Sequence, residues 1–139
     1  MSDLGLENKV TVVNADLFPK GKKASLIVCN PPWLPSSTST SVDSAVFDPN
    51  SLMLLGFLKG LASHLLPRAQ GWLIMSNFAE LLGLRAQGEL LDWIAQAGLE
   101  VLDRQDIKPL HRKTNDPLDP FHAARSRELT SLWRLGLRA

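Results

Sequence analysis

Cysteine is almost missing from this chain. Cys29 stands alone among 139 residues, which excludes an internal disulfide and leaves no set of thiolates for a structural zinc site. Long apolar runs are missing too. No stretch approaches the roughly 20 residues that cross a bilayer, and the opening MSDLGLENK lacks the basic-then-apolar order of a secretory signal. Neither sign of charge dominates: 15 Lys/Arg stand against 14 Asp/Glu, for a formal net charge of +1. That balance excludes a disordered acidic or basic protein and nominates neither nucleic acid nor membrane as a partner. His64, His111 and His122 show no metal-ligand spacing and read as surface or helix-end residues, so no metal is expected. No Gly-x-Gly follows a strand pattern, and the isolated Gly21, Gly56, Gly60 and Gly83 form no phosphate-cradling loop. The expectation is a soluble, cytoplasmic protein.

What is present is a globular composition, 45% hydrophobic, long enough to bury one core. Residues 10–17 (VTVVNADL) are β-branched and predict a strand, followed by a turn at Phe18-Pro19. The apolar run ASLIVC over residues 24–29 predicts a strand buried on both faces of a parallel sheet. Pro31 and Pro32 donate no backbone hydrogen bond and must end it. Residues 33–49 read as a loop, with a Ser/Thr stretch at 36–41 that suits either a substrate lid or a plain connection. Asp48 or Asn50 can cap the following helix. That helix is predicted from Ser51 to Leu66, with Leu52, Leu55, Leu58, Leu61 and Leu65 as its apolar face. GWLIMS at 71–76 predicts a strand, and a helical region runs from Asn77 to Ala97, stopped by Gly98. A strand over 99–107, a long loop over 109–124 and a final strand over 128–137 complete the chain. Strands alternating with helices predict a doubly wound, parallel α/β sheet. The last two strands, joined without a helix, predict an antiparallel strand at one edge. Cys29, Trp72 and Trp93 read as core residues.

The chemistry concentrates at Asn30-Pro31-Pro32-Trp33. Ligands of open α/β sheets bind at the carboxyl ends of strands, where Asn30 falls. A planar amide or amino nitrogen has a delocalised lone pair, so methylating it requires fixing its orientation and accepting its hydrogens. The Asn30 side-chain oxygen and the next carbonyl can accept two hydrogens, while the prolines fix the backbone between them. Trp33 can stack on a flat substrate group. Taken as a bare tetrapeptide, the same residues describe a strand-ending turn with a core tryptophan.

With its strand context, the chain resembles the class I S-adenosylmethionine-dependent methyltransferases, in particular the NPPY-type N-methyltransferases. These include the release-factor glutamine, ribosomal RNA guanine and DNA amino methyltransferases. LENKVTVVNADLF is similar to the family's third strand, ASLIVCNPPW to its fourth strand and catalytic motif, and GWLIMSN to its fifth. VFDPNSLMLLGFLKGL is similar to the Glu-Pro…Gly…Gly-Leu segment of the glutamine enzymes, with Asp48 in place of Glu. The resemblance implies a three-layer Rossmann-like sheet of order 3-2-1-4-5-7-6. Residues 1–139 would form the carboxyl-side part of one such domain, without its first two strands. It implies Asn30, Pro31, Pro32 and Trp33 as catalytic residues, and S-adenosylmethionine held near Asp16, Leu17 and Asn30. The acceptor would be a protein or nucleic-acid substrate with a planar nitrogen.

The glycine-rich loop and the acid-tipped second strand, which would hold most of the cofactor, are not in these residues and are expected before Met1. Without those strands the 24–29 strand has an exposed edge. The expectation is a rearranged pairing with residues 10–17 or closure of the edge by a second copy, as a homodimer. A complete cofactor pocket, and hence activity of these residues alone, is not expected. The reading of a different class is a non-catalytic remnant that acts as an interaction or oligomerisation module. From Arg104 to Ala139 there are eight Lys/Arg against four Asp/Glu. Arg112, Lys113, Arg125 and Arg127 could meet a phosphate-bearing substrate or simply be solvated loop charges.

Overall fold

A computed structural model describes Gly5, Leu6 and residues 8–33, 48–109 and 126–138. The element order is β1 (Ala24–Cys29), α1 (Leu52–His64), β2 (Leu65–Ser76), α2 (Phe78–Leu81), α3 (Glu89–Gln96), β3 (Leu99–Ile107) and β4 (Thr130–Leu137). The strands form one mixed sheet of order β1-β2-β4-β3. β1 pairs parallel with β2, and β4 runs antiparallel to both β2 and β3. The antiparallel strand is therefore the chain's last, as expected, but it lies inside the sheet rather than at its edge. The edge is β3. Inserted there, β4 satisfies backbone groups of β2 and β3 at once, which an edge position cannot do.

Strand alternation sorts the side chains into two faces. Gly71, Leu73 and Met75 of β2 and Trp133 and Leu135 of β4 point into the main core with Cys29 of β1. Against them pack Leu54, Phe57, Leu58 and Leu61 of α1 and Leu90 and Ile94 of α3. The close approach of α1 to the sheet depends on Gly71, where a Cβ would lie 2.5 Å from Leu61 Cδ2. α1 thus buries the 54/57/58/61 stripe, at i, i+3, i+4 and i+7. Its predicted face is right at Leu58 and Leu61, but Leu52 is exposed. Among the described residues both α1 and α3 lie on this face, giving two layers where three were expected. The opposite face carries Leu26 and Val28, which are exposed, and Trp72, Ile74 and Leu132, which are half-buried. Trp72 is consequently not in the main core; alternation from Gly71 and Leu73 turns it to the other side, where its indole N–H donates to Gln70 Oε1 at 2.9 Å.

Residues 10–17 form no strand, and the expected pairing with β1 does not occur. Val12 is 84% exposed. β-propensity does not hold a strand without a ladder partner. What anchors this segment is its end. Phe18 stacks on His64 (ring centroids 4.3 Å apart) and on Phe57 (5.8 Å). Gly56 and Gly60 of α1 leave the room: a Cβ at Gly60 would lie 2.7 Å from the Phe18 ring, and one at Gly56 2.9 Å from Leu17.

The predicted helix over 77–97 is two helices. Gly83 (φ 74°) and Gly88 (φ 82°) take left-handed backbone between α2 and α3, which interrupts helical hydrogen bonding. The predicted bounds of β3 coincide with the observed ones, with Gly98 (φ 77°) closing α3 before it. The Ser/Thr stretch at 36–41 and most of the 109–124 loop lie outside the described residues. No described helix is long and apolar enough to cross a membrane.

Candidate functional site

Asn30 follows the last residue of β1 and is exposed, while Pro31 behind it is buried and Pro32 and Trp33 are half-buried. Among the described residues the strand is held from one side: Ile27, Val28 and Cys29 pair with Gly71, Trp72 and Leu73 of β2. Trp33 is fixed by the neighbouring strand, its indole N–H donating to the Ile74 carbonyl at 3.1 Å. A half-buried indole tied by its one donor is a positioned surface rather than a swinging side chain. The motif therefore sits beside the carboxyl end of β2, where Ser76 and Asn77 follow.

Asp48 makes the other support of this corner. Its buried carboxylate accepts from the Met53 N–H at 2.9 Å with Oδ1 and from the Leu54 N–H at 3.0 Å with Oδ2, satisfying two donors of the first turn of α1. Of the two predicted capping residues Asp48 serves and Asn50 does not. The sole thiol feels this arrangement. Burial pushes the Cys29 thiol up to about 11 from 9.0, and the negative charge of Asp48 adds to the shift. Cys29 behaves as the small buried hydrophobe expected of it, 8% exposed in the core cluster.

Asp16 and Leu17, the residues assigned to the cofactor by resemblance, lie on the exposed segment before Phe18. Asp16 lines a cavity of about 400 Å³ with Asn14, Lys20 and Lys22. Asn30 is not among the residues of that cavity, so the structure does not bring the three assigned cofactor residues into one pocket. Leu17 has φ 67° and packs over Gly56. His64 is engaged on α1, its Nδ1 2.7 Å from the Gly60 carbonyl. Arg112, Lys113, Arg125, His111 and His122 lie outside the described residues; Arg127 is described and exposed. Among the described residues no His, Cys, Asp and Glu gather as a metal site.

Sequence reasoning missed the polar cluster after β2. Asn77 clamps the start of β4, accepting from the Leu129 N–H at 2.7 Å and donating its own N–H to the Leu129 carbonyl at 3.1 Å. The Ser76 hydroxyl donates to the buried Glu128 carboxylate at 2.6 Å and accepts from the Phe78 N–H. The Ser131 hydroxyl of β4 and Arg104 of β3 hold the Asp106 carboxyl of β3 below its usual range. Only the polar spacing Ser76-Asn77…Glu80 could have marked this cluster in the sequence.

No protein-family model matches the chain, and no curated protein matches it either.

Proposed function

We propose that this chain is the acceptor-presenting part of an S-adenosylmethionine-dependent N-methyltransferase domain. The observation that carries the proposal is Asn30-Pro31-Pro32-Trp33 at the carboxyl end of β1, in a sheet of order β1-β2-β4-β3. Taking the family order 3-2-1-4-5-7-6 and keeping only its last four strands leaves 4-5-7-6. That order agrees with the observed one, in which the last strand lies between its two predecessors. In this reading the Asn30 side-chain oxygen and the Pro31 carbonyl accept the hydrogens of a planar amide or amino nitrogen on a protein or nucleic acid. Pro31, Pro32 and the Trp33–Ile74 hydrogen bond keep those acceptors in place. The reactive methyl belongs to the donor.

Doubly wound sheets open their ligand crevice where the strand order reverses. Here β1, β2 and β3 advance in one direction across the sheet with α1 and α3 on one face. The reversal would fall beyond the free edge of β1, so strands supplied there would carry most of the donor site, with Asp16 and Leu17 at its margin. Replacing Asn30→Ala in the natural polypeptide that carries those strands is expected to lower methyl transfer by about 100-fold or more. Donor affinity should fall far less than the transfer rate, because most of the donor site is assigned to other residues. Transfer at the parental rate would remove Asn30 from the chemistry.

The alternative, a non-catalytic interaction module, is favoured by one observation. Ala24–Cys29 presents an edge with no charge and no proline, whereas the opposite edge strand, β3, carries Glu100, Asp103, Arg104 and Asp106. Under this alternative the edge closes on a second copy. Sedimentation then shows a dimer in the natural polypeptide, and no methyl transfer accompanies it.

A further inference from the structure

We draw no further inference here: the strongest candidate, the apolar sheet face opposite α1 and α3 formed by Leu26, Val28, Trp72, Ile74 and Leu132, carries nothing because nothing in the structure shows what covers it.

Discussion

Replacing Asp48 tests the corner that supports the Asn30 turn, because one carboxylate performs two separable jobs there. It accepts two main-chain hydrogen bonds at the start of α1 while only 4% exposed, and it lies close enough to Cys29 to raise the thiol pKa. Asp48→Ala leaves both N–H groups without an acceptor. A lost helix cap costs about 0.5–2 kcal/mol, and a buried unsatisfied donor about 1–3 kcal/mol. With the Leu54 N–H fully buried and the Met53 N–H partly so, about 2–4 kcal/mol is expected. Asp48→Asn keeps one acceptor oxygen and should cost about half as much. It also removes the charge, so the Cys29 pKa should fall. It should stay above the ordinary thiol value, because burial is the larger cause. Urea denaturation gives the stability change from the midpoint at constant slope. The pH profile of alkylation gives the thiol pKa without interference, since Cys29 is the only cysteine. Both variants within about 0.5 kcal/mol of the parent, or a Cys29 titration unmoved by Asp48→Asn, would refute the reasoning.

Two further outcomes follow from the core. Gly71→Ala places a Cβ 2.5 Å from Leu61 Cδ2 in a central strand, where overpacking should cost about 1–3 kcal/mol by the same urea measurement. Stability should also fall at alkaline pH. The folded-state Cys29 pKa of about 11 lies above the unfolded 9.0. Below pH 9.0 the stabilising contribution is complete. Between 9.0 and about 11 the unfolded chain loses its proton first and the contribution disappears. It amounts to about 1–2 kcal/mol once solvent screening at the strand end is allowed for, and Cys29→Ala should remove this pH dependence.

Local signals made most elements readable. ASLIVC is apolar and closed by a proline pair, GWLIMS stops at Asn77, and residues 99–107 begin just after a left-handed glycine. The start of β2 is not readable in this way: it lies at Leu65, inside the predicted helix, and not at Gly71. What failed needed information from elsewhere in the fold. VTVV has the composition of a strand but no neighbouring ladder, so it forms no strand and stays exposed. The position of β4 between β2 and β3 is a choice of partner, which side-chain pattern along β4 cannot express; only the strand order implied by the resemblance places it there. The run from Asn77 to Ala97 looked continuous because single glycines are tolerated in helices at about 1 kcal/mol; Gly83 and Gly88 instead adopt positive φ. At the candidate site the Asn-Pro-Pro-Trp turn and the Asp48 cap were legible. The tie between Trp33 and Ile74 spans 41 positions and was not.

The central claim is that Asn30 presents an acceptor to a donor site whose main part lies beyond the free edge of β1. Calorimetric titration of the 139-residue chain with S-adenosylmethionine tests it most directly. The account predicts no binding tighter than about 1 mM. Saturable binding near about 1 µM would contradict it, because the donor pocket would then already be complete within these residues.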